Sequence, residues 1–449
     1  MFESLPASAA EVDTRAVSAF GRELADFAPG DEAGLVEGLT ALEDVKAAAA
    51  AAQCRLAEAL DRAVRTREAR TGGPADERGR GVAAQVARAR RDSPVTGGRH
   101  LGMAKALVRE MPRTLAALQD GRLSEWRATL LVRETACLSR DDRSVVDREL
   151  CADAATLHGL GDRAVAEAAR RAAYRLDPQA VVDRAAKAVK DRRVTLRPAP
   201  DTMTNLTGLL PVAGGVAAYA ALCRAADRAR AAGDTRSRGQ VMADTLVERV
   251  TGQAHAEQVP LEVAVVITDR ALLDEDDEPA TVPGYGPVPA GWAREVVARV
   301  GRATLRRLLS EPATGQLVAM ESRSRHFPLG LRRFLTLRDQ TCRTPWCDAP
   351  VRHNDHVVAD AEGGPTSAAN GQGLCEACNY VKALPGWAAR EGPRSRIGDH
   401  VVELITPTGL VHRSRAPALH QPLAPAGVEQ AGSLLERELA RLVRLRSAA

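Results

Sequence analysis

The chain has 449 residues, enough for two or three domains, and its 45% apolar and 27% charged content is ordinary for a globular protein, which excludes wholesale disorder. Aromatics are only 3%, so the core must be built from Ala, Leu and Val, residues that favour packed helices. The net charge of +4 is too small to name a partner, and no apolar run approaches the roughly 18 residues that a membrane span needs.

The N-terminus, MFESLPASAAEVD, carries Glu3 and Asp13 and lacks a basic segment followed by an apolar one. It does not read as a secretory signal, so the expected address is the cytoplasm. Residues 1–19 read as a flexible tail. Helical periodicity runs from about Ser18 to Arg70, with Leu35, Leu39, Leu42, Val45, Leu56 and Leu60 spaced by threes and fours. Gly and Pro punctuation from Thr71 to Pro94 encloses a short Arg-rich helix, and a further helix spans about Gly98 to Glu110. Pro112 suits the first turn of the next helix. Gly121 can end that one, and Ser124 can cap the helix carrying Trp126, Leu130 and Leu131. Helices over about Arg140–Leu157, Asp162–Tyr174 and Pro178–Lys190 follow.

The texture changes at Arg193. Arg193–Arg197 and Met203–Leu210 read as strands joined by a turn over Pro198–Asp201. Helices resume over about Gly215–Ala232 and Arg238–Thr251. The β-branched run Leu261–Ile267 reads as a buried strand, Gly284–Pro289 as a loop and Ala290–Val300 as a helix. The acidic run Asp274–Glu278 reads as a solvated loop rather than a metal site. Residues 1–300 contain no nucleophile–base pair, glycine-rich phosphate loop or ligand cluster.

Charge is unevenly spread farther on. Residues 302–345 hold nine Arg against Glu311, Glu321 and Asp339, a net +6, whereas residues 346–392 carry a net −3. The planar fork of Arg suits phosphate, so a basic arm leads into a slightly acidic module. Cys54, Cys137, Cys151 and Cys223 are scattered through helical sequence and read as small buried apolar residues. Cys342, Cys347, Cys375 and Cys378 form two close pairs within 37 residues. Paired spacing points to one tetrahedral Zn²⁺ with no open position, hence structural; a redox pair and four buried thiols are the alternatives. Between the pairs lie Asp355-His356 at the end of a strand-like segment, Gly363-Gly364 at a turn and Asn370 in the return loop. Asn379 and Lys382 follow the last cysteine on an expected helix. A histidine beside an acid can deprotonate water, and a carboxylate with an amide can hold a divalent cation against a phosphate.

Residues Arg338–Trp387 resemble an HNH endonuclease domain of the ββα-metal fold, in the pattern CxxxxC…DH…GG…N…CxxCN…K. The whole chain resembles the actinobacterial group in which a helical domain of unknown function, DUF222 or the 13E12 repeat family, precedes a C-terminal HNH nuclease. The stretch RHFPLGLRRFLTLRDQTCRTPWCDAP matches that group's junction. The resemblance implies a mainly α N-terminal domain with a small β element over residues 20–300 and a basic connector over 301–337. It then implies an HNH module with a four-cysteine zinc site over 338–392 and a C-terminal extension over 393–449. It implies His356 as general base, Asp355 and Asn379 as ligands of a catalytic Mg²⁺ or Mn²⁺, and Asn370 as the residue that orients the histidine or ties down the loop. Arg332, Arg333, Arg338 and Lys382 would contact DNA phosphates, and cleavage would leave 5′-phosphate and 3′-hydroxyl ends. Two other readings stand beside it: a zinc-stapled nucleic-acid binder without catalysis, and a helical interaction platform with the nuclease as effector.

Overall fold

The computed structural model describes residues 13–28, 30–252, 271–272, 276–282, 285–299, 326–393 and 400–418, with Val265 and Ile267. The described residues are mainly helical, with small sheets. They fall into two compact units, one made of residues 1–63 and 101–181, the other of residues 64–100 and 182–449.

Among the described residues, the first unit has only helical elements. It holds α1 (Thr14–Glu23), the first part of α2 (Glu32–Arg70), most of α4 (Pro94–Arg109), then α5 (Pro112–Gln119), α6 (Glu125–Glu134), α7 (Arg140–Cys151) and α8 (Asp162–Leu176). The helix expected from Ser18 therefore begins at Thr14, where the Asp13 carboxylate accepts from the Ala16 N–H. The buried face of α2 is Ala47, Ala50, Ala51 and Cys54, at helical spacing, packed with Met103, Leu107, Leu118, Leu131 and Val165. Leu35, Leu39 and Leu56 are exposed instead. Small side chains on that face bring the neighbouring backbones close.

Pro112 opens α5 and Ser124 caps α6 through the Arg127 N–H, as expected. The N-terminus of α5 has no local cap. Asp147 of α7 takes that role, accepting from the Arg113 and Thr114 N–H groups at 2.9 and 2.7 Å. A buried carboxylate at a helix start satisfies orphan donors and complements the dipole.

The second unit contains the end of α2, then α3 (Val82–Arg90), the hairpin β1 (Arg193–Ala199) and β2 (Met203–Leu209), α10 (Val212–Ala231) and α11 (Arg238–Thr251); α9 (Pro178–Ala188) straddles its boundary. The hairpin runs two residues past the expected strand end, with Pro198 opposite Thr204 and a tight turn at Asp201 and Thr202, both with positive φ. A two-stranded ribbon leaves one edge of each strand open, which tolerates the missing N–H of Pro198. A second hairpin, β3 (Ala280–Val282) with β4 (Gly286–Val288), stands where a loop over Gly284–Pro289 was expected. Buried Ala280 and Val288 pack on Ala293 of α12 (Ala290–Arg299), and that burial holds the short strands together. Most of the expected strand Leu261–Ile267 lies outside the described residues, as do Asp274, Glu275 and the arginines at 302, 306, 307, 323 and 325.

The cysteine-bearing part is preceded by α13 (Leu329–Asp339). Antiparallel β5 (His353–His356) and β6 (Gly371–Leu374) follow, then α14 (Glu376–Lys382) and a three-stranded sheet of β7 (Ala388–Glu391), β8 (Val401–Ile405) and β9 (Val411–Arg415). Leu331 and Leu335 of α13 pack with Phe327 and Ala368. The sheet continues across the boundary expected at residue 392: β7 pairs with β8, and Arg343 bonds the His400 carbonyl at 3.1 Å and the Ser414 carbonyl at 2.8 Å.

Candidate functional site

β5 and β6 pair with Asp355 opposite Gln372 and His356 opposite Gly371, and α14 starts two residues after β6 ends. Cys375 is the N-cap of α14, its sulfur accepting from the Cys378 N–H at 3.5 Å. A CxxC pair at a helix start therefore aims both sulfurs back toward the knuckle holding Cys342 and Cys347. All four sulfurs lie within 4.8 Å of one another and all four residues are buried. Cys347 Sγ and Cys375 Sγ are 3.7 Å apart. Hydrogen bonds from Cys347, Cys375 and Cys378 hold the Cys342 thiol far below its usual range. The same contacts with Cys342 push Cys347 and Cys378 above it. Among the described residues this is the cluster that can hold a metal ion.

The loop from β5 to β6 needs its paired glycines. Gly363 has φ +85, and a Cβ on Gly364 would sit 1.9 Å from the Val358 carbonyl oxygen. Asn370 closes this loop. Its amide oxygen accepts from the Val358 N–H at 2.8 Å, and its amide nitrogen donates to the Val358 and Pro365 carbonyls at 3.0 and 2.9 Å. Of the two roles that the sequence leaves open for Asn370, the geometry fits tying down the loop.

Successive strand residues face opposite sides. Asp355 faces α14 and is ion-paired with Lys382, which also donates to the His356 carbonyl. Asn379 precedes Lys382 by three residues, so the two share a helix face. The His356 ring turns the other way. It is buried, 4.6 Å from the Phe327 ring, with Nε2 2.9 Å from the Thr366 hydroxyl. The structure thus pairs Asp355 with Lys382 on the α14 side of β5 and sets His356 against Phe327 and Thr366 on the other.

Two of the expected phosphate contacts are engaged internally. Arg338 is buried; it pairs with Asp339 at 2.7 Å and donates to the Ala368 and Gly371 carbonyls. It is a strut between α13 and the loop, with no guanidinium face left for DNA. The Lys382 ammonium is committed to Asp355. Arg332 and Arg333 are exposed on α13. Sequence reasoning missed Asp339, whose carboxylate takes Arg338, Arg343 and the Gly373 N–H. It also missed His400, which burial, with Arg338 and Arg343 nearby, pushes down to about 3. His400 has no local mark because its partners lie tens of residues away. Asp339 has Arg338 and Arg343 close in sequence, but the Gly373 N–H that ties it to β6 is 34 residues away.

The family model for a domain of unknown function, DUF222, matches residues 39–339. The chain belongs to the DUF222 family. The DUF222 match runs from within α2 to the last residue of α13, farther than the expected end at residue 300, and stops just before the cysteine-bearing module. No curated protein and no solved structure gives a significant match to this DUF222 chain. No helix among the described residues is long and apolar enough to cross a membrane.

Proposed function

We propose that this chain is a metal-dependent HNH endonuclease that hydrolyses DNA phosphodiester bonds, with a structural zinc at its four cysteines. The observation that carries the reading is the meeting of Asp355 from β5 with Lys382 from α14, three residues on from Asn379, inside a frame closed by four buried sulfurs. Four thiolates at about 2.3 Å from a tetrahedral Zn²⁺ lie about 3.8 Å apart, close to the separation of Cys347 and Cys375. With every position filled by sulfur, such a zinc binds no water and serves as a staple.

Asp355 and Asn379 are a hard, oxygen-only pair, which suits a Mg²⁺ or Mn²⁺ that keeps several waters. When bound, that cation supplies positive charge against the scissile phosphate and the leaving oxygen. Lys382 neutralises Asp355, so its ammonium must yield part of that carboxylate to the cation. Asn370 fixes the loop that carries Thr366. For His356 to take a proton from water at Nε2 beside a phosphate on the Asp355 side of β5, its ring must release the Thr366 hydroxyl and leave the niche beside Phe327. A neutral imidazole is the form that can act as a base. The exposed Arg332 and Arg333 supply phosphate contacts.

One other reading has its own observations. The Asp355 charge is already matched by Lys382 and the His356 ring is buried, features of a nucleic-acid-binding module that does not cut. Nicking of supercoiled plasmid by the full-length protein with Mg²⁺ or Mn²⁺, against a gel-shift measurement on the same DNA, separates the two. Binding without nicking, in both metals, selects the second.

A further inference from the structure

Arg88 of α3 lies 257 residues before Pro345 and 290 before Cys378 in sequence, and meets both. Its guanidinium donates to the Pro345 carbonyl at 3.2 Å, inside the knuckle between Cys342 and Cys347, and lies 3.9 Å from the sulfur of Cys378. One side chain therefore touches both halves of the four-cysteine cluster. Arg88 is only 2% exposed. Among the described residues no carboxylate pairs with it, and its Nε has no hydrogen-bond partner. Arg stays protonated in a protein, and an uncompensated buried charge is strongly destabilising. Four neutral thiols offer no counter-charge. Four thiolates around one divalent cation leave two net negative charges and supply it.

The fit is steric as well. Ala84 of α3 packs with Trp387 and Leu404. Gly81, at φ +87, leads into α3 where a Cβ would stand 3.0 Å from Leu384 and 3.1 Å from Trp387. The start of α3 thus lies directly on the residues after α14.

We propose that Arg88 is the outer cation of the four-cysteine centre, so that metal binding there and docking of α3 are one coupled event. The inference rests on the zinc reading of the cluster. It makes the metal a clamp between a segment of the DUF222 region and the C-terminal module, rather than a staple of that module alone. Arg88 acts through the sulfur ligands, as a positioning residue.

The test uses the full-length chain. Bound zinc is measured first, then its retention against a competing chelator in wild type, Arg88→Met and Arg88→Lys. Arg88→Met should hold zinc about 10–100-fold less tightly, as loss of an outer-shell partner does, with Arg88→Lys in between. Hydrogen exchange on the wild type gives a readout that needs no variant to fold: chelation should strip protection from Val82–Arg90 while leaving α6, α7 and α8 protected. Wild-type protein without bound metal overturns the zinc reading and the inference with it. Zinc-bound protein whose α3 protection ignores chelation, or folded Arg88→Met that retains zinc like wild type, overturns the coupling alone.

Discussion

Asp355 and His356 are neighbours in the chain and face opposite sides of one strand: the carboxylate meets Lys382 on α14, the imidazole meets Phe327 and Thr366. Strand geometry dictates the split. It places the proposed cation site on the helix side of β5 and the proposed base in a buried niche beneath α13. The two residues therefore respond differently to mutation.

His356→Ala should abolish cleavage, by about 10²–10⁴-fold if the general base is lost. It should also destabilise the module by about 1–3 kcal/mol, because the ring fills space beside Phe327. Thermal melts and nicking rates on the same preparation check both effects. An unchanged melting temperature would mean that the ring does not pack as described.

Arg338→Ala and the double change of Arg332 and Arg333 to Ala should have opposite signatures. Removing Arg338 leaves the buried Asp339 carboxylate short of a partner, at about 3–5 kcal/mol. The exposed pair should leave stability nearly unchanged, weaken DNA affinity and flatten its salt dependence by up to about two units of slope. Binding isotherms across a salt series, with urea titrations, distinguish the two. A reduced slope in folded Arg338→Ala would return that residue to the DNA surface.

Acid should loosen the module through His400. Its folded pKa lies well below the ordinary value of about 6.5, so the unfolded chain takes up a proton that the folded one refuses. Stability from this group is present above about pH 6.5 and is lost progressively as pH falls toward 3. Low pH also protonates the thiolates and releases metal, so the comparison must be internal. His400→Gln should show a shallower loss of stability between pH 7 and pH 4.5 than wild type. Parallel curves for the two proteins would remove His400 from the acid response.

A fragment limited to residues 338–392 should not fold stably even with zinc supplied. It lacks His400 and Ser414, which hold Arg343, lacks Leu404, which packs on Trp387, and lacks Phe327, which covers His356. A dispersed amide spectrum from that fragment would contradict this prediction.

Much of the helical architecture was legible because its signals are local. Pro112 and Ser124 mark helix starts through chemistry within one turn. The cysteine pairs announced a shared site because Cys342 and Cys347, and Cys375 and Cys378, are each close in sequence. What escaped was set at long range. The Asp147 cap on α5 comes from another helix, and the burial of Arg338 depends on carbonyls 30 and 33 residues away. The hairpin at Ala280–Val288 forms against Ala293, outside the window in which Gly and Pro read as a loop. Within the basic arm, Arg338 and Arg343 spend their charge inside the fold, for the same long-range reason, whereas Arg332 and Arg333 stay exposed.

The measurement that bears most directly on the nuclease reading is plasmid nicking by full-length protein of known zinc content, in Mg²⁺ and in Mn²⁺, with Asp355→Ala beside wild type. Asp355 is partly exposed and lies on the helix side of β5, so its loss should spare the fold. The reading predicts nicking by wild type in at least one of the two metals and a loss of about 100-fold or more in the variant, the upper end of what even outer-shell ligand partners cost. No cleavage by the zinc-loaded wild type in either metal, or undiminished cleavage by Asp355→Ala, would contradict it.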